Sequence, residues 1–318
     1  MGPQNSGTVE FTITIDAPEE SKDVRLWVPY PVSDRDQSIG DIKIAGNYDN
    51  QGIYKEPGDG NMALYAEWKS PAEERRLTIS FKATAMERVR KDFTPNQAGI
   101  PAEVERYTKA EPLIPTDGEV AKAALEATKG KKTIAEKARA VYDWVVENTV
   151  RDPEAQGCGL GNVEVTIAKK SGKCVDLSSV FVALARAAGV PAREVFGLRL
   201  GKEPGASDLT KGHHCWGEFY LPGYGWTPVD PADVRKKMLE EKLDLDHAKD
   251  IREYYFGAVD QNRIVLGKGE RGHDLNPRQN GGPLNYFMYP YAEVDGKGLE
   301  WLAAQKELKY KVSFLSLK

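Results

Sequence analysis

The sequence predicts an α+β protein, with a strand-rich amino-terminal part and a carboxy-terminal part organised around one buried helix. Three observations carry that prediction. Apolar and polar residues alternate through much of the first ~90 residues, the two-residue period of half-buried strands. In residues 171–194, SGKCVDLSSVFVALARAAGVPARE, the period changes. Leu177, Val180, Phe181, Leu184 and Ala188 share one helical face, and Cys174 falls in the first turn. Beyond it, HHCWGEFYLPGYGWTPVD, starting at His213, alternates again and turns at Pro222, Gly223 and Gly225.

Taken in order, Val9, Phe11, Ile13 and Ile15 alternate with polar residues, and Val24, Leu26 and Val28 do so before Pro29. Residues 64–68 and 77–83 repeat the pattern. Four or more strands without a helical period predict a small β-sandwich over residues 1–95. Residues 94–116 carry Pro95, Pro101, Pro112 and Pro115 and read as an irregular connection, which places a second unit at 96–318. Two helices open that unit. One spans 119–128 and stops at Gly130; the next starts at a capping box of Thr133 and Glu136 and runs to Asn148, with Ile134, Ala138, Val141 and Val145 as its apolar stripe.

Residues 151–162, RDPEAQGCGLGN, are broken by glycine and are expected to line one wall of a cleft. Ser171 or Gly172 offers an N-cap to the helix holding Cys174, Gly189 its stop, and Pro191 forbids continuation. A strand follows at 194–200, and the polar stretch 201–212 is expected as a lid or a surface loop. The charged run 235–250 reads as a solvated helix. Residues 263–266, 286–294 and 308–315 supply further strands, and residues 251–318 are expected to complete the sheet of the second unit. His273 reads as a surface residue.

The chemistry concentrates where helix and hairpin meet. A thiol in a first helical turn faces unpaired backbone N–H groups and the positive end of the macrodipole, and both favour thiolate. From His214 to Leu221 the alternation puts His214, Trp216, Glu218 and Tyr220 on one side of a strand and Cys215, Gly217, Phe219 and Leu221 on the other. The return strand from Trp226 brings Asp230 back towards His214. Thiol, imidazole and carboxylate in that order supply a nucleophile, a base and a group that orients the base.

These blocks (GKCVD with its apolar helix and AAGVPAR, then His-x-Trp with EFYLPGYGW, then VDP) resemble the transglutaminase-like superfamily of papain-like cysteine enzymes. The resemblance covers residues 141–234. It implies a papain-like core, a helix packed on an antiparallel sheet, and it assigns Cys174 as nucleophile, His214 as base and Asp230 as orienting carboxylate. His214 is preferred to His213 by the His-x-Trp motif, and Asp230 to Asp233 because it ends the return strand. The implied activity is acyl transfer on amide bonds of a peptide or protein through a thioester, ending in hydrolysis. A protein-crosslinking transglutaminase, or a peptide-binding module without catalysis, is the alternative. Papain relatives use a glutamine ahead of the cysteine as an oxyanion donor; Gln156 is near that place at a different spacing.

Composition sets the outer bounds. A net charge of −4 over 318 residues gives no electrostatic case for nucleic acid, and no apolar run approaches a membrane span. Three cysteines suit neither a disulfide-dense scaffold nor a tetrathiolate zinc site, though Cys158 and Cys215 remain as a possible pair. His213, His214 and Cys215 alternate along a strand, so they do not converge on one ion. No cofactor or metal is expected. Residues 1–8 hold no signal-peptide core, so export requires a leader already trimmed and the cytoplasm is the alternative.

Overall fold

Gln4–Ile15 is a long strand whose Val9, Phe11, Ile13 and Ile15 point into a core and are almost fully buried. In the structure, a computed structural model that describes residues 2–91, 93, 98–269 and 271–317, this strand lies inside a five-stranded antiparallel sheet. The strand order is Ala206–Asp208, Leu308–Ser316, Gln4–Ile15, Arg75–Met86, Gln37–Gly46. A second five-stranded sheet runs Lys297–Glu300, Tyr291–Val294, Val24–Tyr30, Met62–Trp68, Asn50–Lys55. Leu26, Val28, Leu64 and Ala66 of the second sheet share one core with Phe11, Ile79, Phe81 and Val312 of the first. The expected connection at 94–97, with Pro95 and the boundary placed there, lies outside the described residues.

The late strands depart from expectation. Only Arg263–Gly269 joins the sheet next to the helix of Cys174; Tyr291–Val294, Lys297–Glu300 and Leu308–Ser316 complete the two amino-terminal sheets instead. The reason is an edge. Without Leu308–Ser316, the first strand would expose an unpaired ladder, and Tyr310, Val312 and Phe314 carry the apolar face that its core needs. The stretch 201–212 is tied down for the same reason: Ala206–Asp208 pairs with Leu308–Ser316, and Leu209 is buried in that core, so it is not a lid. Val312→Asp, which would place a carboxylate opposite Phe11, is expected to lower unfolding free energy by several kcal/mol in a urea titration. An unchanged midpoint would mean that this strand is not seated on the sheet.

The second core surrounds Cys174–Ala187, whose residues from Cys174 to Arg186 are all buried. A four-stranded antiparallel sheet in the order Gly225–Val229, His213–Leu221, Ala192–Arg199, Arg263–Gly269 covers one side of it. Helices Gly118–Ala127, Ile134–Asn148, Val163–Lys169 and Pro231–Glu241 pack around it. The capping box is formed: Glu136 N–H donates to Thr133 Oγ1 at 3.2 Å and Thr133 N–H to Glu136 Oε2 at 2.9 Å. Gly189 ends the central helix with a φ of 77°. Its N-cap is Lys173, not Ser171 or Gly172, because those two residues form a short parallel pairing with Val150–Arg151. His273, expected at the surface, is buried instead, 3.5 Å from Glu56 and bridged to Leu284.

Candidate active site

Cys174 is the first residue of the central helix and only 2% exposed. The loop before it is folded under the helix start by Gly159, at a φ of 96°, where an added Cβ would sit 2.0 Å from Asp176 Oδ2. Asp176 buttresses both sides of the entry, accepting from Lys173 N–H at 2.9 Å and Gly161 N–H at 2.8 Å. Val175 N–H donates to the Cys158 carbonyl at 2.9 Å, which fixes Cys158 beside the thiol.

Burial opposes a thiolate at Cys174, but hydrogen bonds from Cys158, Cys215 and His214 outweigh it, and its pKa falls well below the ordinary thiol value. The two neighbouring thiols move the other way. Cys158 is raised chiefly by its bond to Cys174 and by burial, Cys215 chiefly by burial. All three cysteines are free thiols, so the suggested Cys158–Cys215 bond is absent. Alternation alone separates Cys215 from His214, yet both reach Cys174, because the helix begins against residues 213–215: Cys158 Sγ donates to the His213 carbonyl at 3.3 Å and Ser178 Oγ to the Cys215 carbonyl at 3.5 Å.

His214 lies on the strand next to this thiol, opposite Gly197 in the ladder, with its ring stacked on Trp216. Its Nε2 is 2.7 Å from Asp230 Oδ2, which leaves Nδ1 as the nitrogen for Cys174. Burial and Arg199 push the imidazole towards neutrality, but Asp230 and Asp233 prevail and its pKa is raised. His213 is different. It is turned into a cage of Tyr289, Trp301 and Tyr310, where burial lowers its pKa to about 4.

Asp230 performs two structural tasks. Its Oδ1 caps the helix Pro231–Glu241 by accepting from Asp233 N–H at 2.9 Å, while Oδ2 receives His214 and Arg263. Arg263, fully buried, donates to Asp230 at 2.6 Å, to Asp233 at 2.9 Å and to Asp260 at 2.6 Å. Arg199 bonds Asp233 from the adjacent strand, directly opposite Arg263 in register. Like charges paired across a ladder repel. Here three carboxylates surround two guanidiniums, which leaves one negative charge, and a protonated His214 neutralises the group. Burial works against ionised Asp233 and Asp260; arginine contacts nevertheless hold Asp233 well below the usual carboxylate range and bring Asp260 to about 2.

The sequence pattern does not single out Asp260, Arg199 or Arg263 as members of the site, and it offers Asp233 only as a rival to Asp230. The sole local signal was an arginine opening the apolar run of residues 263–266. His214, Asp230 and Asp233 also bring ligand-type atoms within 4.8 Å of one another, a spacing that would suit a metal. The guanidinium of Arg263 already occupies the cationic position between the two carboxylates.

A cleft of about 500 Å³ opens beside the helix start, walled by Gly159, Leu160, Tyr286, Tyr289, Trp301 and Leu302. Gln156 lines it too, with its amide donating to the Leu302 carbonyl at 2.7 Å and so committed to the far wall. Cys174 is not among the cleft's walls; Tyr289 is, and its hydroxyl donates to Cys158 Sγ at 3.2 Å.

Residues 121–231, the span that holds Cys174, His214 and Asp230, match the family model described as Transglutaminase-like superfamily. An uncharacterised protein of Haemophilus influenzae is 37% identical over 332 residues, a match covering 95% of this chain and 89% of that protein. The chain belongs to the transglutaminase-like superfamily. It is also 34% identical, over 86 residues, to a protein-glutamine gamma-glutamyltransferase of Pseudomonas aeruginosa, which is 26% of this chain and 13% of that one. The crystal structure of a candidate cysteine protease from Cytophaga hutchinsonii superposes with a TM-score of 0.62 at 13% identity, covering 99% of this chain and 93% of that chain. Likeness at that identity shows the fold alone, over nearly the whole chain.

Proposed function

We infer that this superfamily member is a cysteine-dependent acyl-transfer enzyme that acts on amide bonds of a peptide or protein. The supporting observation is the row Cys174, His214 Nδ1, His214 Nε2, Asp230, backed by Arg263. Cys174 thiolate attacks the carbonyl carbon, and the developing oxyanion is met by backbone N–H at the helix start. His214 imidazolium gives its Nδ1 proton to the leaving amine, and a thioester forms. Water, activated by the now neutral His214, attacks the thioester carbon and releases the acid. An amine in place of water gives transamidation with the same groups. Hydrolysis is preferred because water is always present, whereas no acceptor site for an amine stands out beside Cys174 among the described residues. The cleft is the substrate's approach, and its wall must give way for an acyl group to reach the buried sulfur.

The first test is alkylation of each cysteine against pH, read by peptide mass spectrometry. Cys174 should react first, with a midpoint well below the ordinary thiol value of about 8.5, and Cys158 and Cys215 should lag behind it. Turnover of amide substrates should be bell-shaped in pH. It rises as Cys174 ionises and falls as His214, whose pKa is raised, loses the proton destined for the leaving amine. Equal reactivity of the three thiols would sink the assignment.

A further inference from the structure

The nucleophile row uses one of three thiols that meet at the helix start, and the other two are not equivalent. Cys215 is fully buried within a strand and laddered opposite Phe196, so its backbone is held. Cys158 is in the loop at 152–162, outside helix and strand, between Gly157 and Gly159, which both adopt positive φ. It is also the most exposed of the three at 5%, and Tyr289, which lines the cleft, donates to its sulfur. Its backbone carbonyl, bonded to Val175 N–H, keeps it next to Cys174, and two hydrogen bonds hold its thiol, one to the His213 carbonyl and one from the Tyr289 hydroxyl, which the side chain gives up when it turns to Cys174. A disulfide needs the two sulfurs to close to about 2.05 Å, which a thiol on a loop reaches more readily than one on a paired strand.

We propose that Cys158 is the resolving thiol of a reversible oxidation site at Cys174. The inference rests on Cys174 being the reactive thiolate of the proposed enzyme. A hydroperoxide entering from the cleft is attacked by Cys174 thiolate at its outer oxygen; the O–O bond breaks, the leaving oxygen takes the proton of the His214 imidazolium and departs as alcohol or water, and Cys174 becomes a sulfenic acid. Cys158 sulfur then attacks Cys174 sulfur, the S–O bond breaks, and the hydroxide takes the Cys158 proton and departs as water. Two thiols are oxidised to one disulfide while the peroxide is reduced. The Cys158–Cys174 bond blocks acyl transfer and protects the nucleophile from irreversible sulfinic acid, until a dithiol reduces it.

The test treats the reduced full chain with hydrogen peroxide and maps its cysteines under non-reducing conditions. A peptide pair joining Cys158 to Cys174, two hydrogens lighter than the thiols, should appear, with loss of Cys174 labelling that dithiothreitol fully restores. Cys158→Ala should lose that recovery and accumulate sulfinic acid at Cys174; Cys158→Ser serves if the alanine variant folds poorly. Cys215→Ala should keep the switch. A bond that uses Cys215, or equal sulfinic acid in wild type and Cys158→Ala, would overturn the proposal. Labelling of the reduced protein is read separately: a selectively reactive Cys174 that forms no disulfide defeats the switch and leaves the enzyme reading standing, whereas an unreactive Cys174 defeats the enzyme reading itself.

Discussion

Asp230→Asn is expected to lower amide turnover by roughly three to four orders of magnitude, an effect of the size seen when the carboxylate of a triad becomes an amide. The cause is the tautomer. A carboxylate accepts from His214 Nε2–H and so presents Nδ1 to the thiol as a base; an amide nitrogen facing Nε2 favours the opposite tautomer. The same substitution has a structural cost. Oδ1 caps a helix and Oδ2 accepts from Arg263, so each oxygen faces donors, and whichever the amide replaces leaves two donors opposed. Asparagine retains capping ability, and the loss of stability should be about 1–3 kcal/mol, short of unfolding. Cys174→Ala should abolish turnover, and the double variant should be no worse than Cys174→Ala alone, because both groups serve one covalent step. Circular dichroism and a urea titration check folding. Wild-type turnover from folded Asp230→Asn would mean that this carboxylate only holds structure.

Arg263→Leu should be the most destabilising single change at the site. It removes a fully buried guanidinium and leaves Asp230, Asp233 and Asp260 to Arg199 and His214. Breaking one side of a buried ion network costs about 3–5 kcal/mol, since the remaining charges stay desolvated. Arg263→Lys keeps the charge but not the planar fork that reaches three carboxylates, and should fall between. The pH dependence has a definite sign. Asp260 is lowered to about 2, against burial and through Arg263, so its stabilising contribution is complete above the unfolded value of 3.8 and is lost as pH falls towards 2. The gap between wild type and Arg263→Leu should therefore be widest above pH ~4 and shrink in acid. His214 contributes oppositely: its raised pKa adds stability below pH ~6.5 that disappears as pH rises through the folded value. A gap that stays constant across this range would show that Arg263 acts through packing alone.

What the sequence by itself determined was local. The helical period around Phe181 placed Cys174 at a helix start, the capping box of Thr133 and Glu136 set the start of another helix, and the alternation from His214 with its turn brought Asp230 back beside the imidazole. Such patterns are legible because neighbouring residues dictate which face of an element is apolar and where the chain must turn. They do not say which partner covers that face. Leu308–Ser316 alternates equally well for either sheet, and only the unpaired edge of Gln4–Ile15, some 300 residues away, decided where it goes. Arg263 read as the start of a strand; its three carboxylates come from a helix N-cap, the first turn after it and a separate loop, and they converge only when the sheet is assembled. The trio of thiols is tertiary for the same reason. Cys158, Cys174 and Cys215 belong to a loop, a helix and a strand, and their proximity depends on the angle at which the helix meets the sheet, a quantity that packing of the whole core sets.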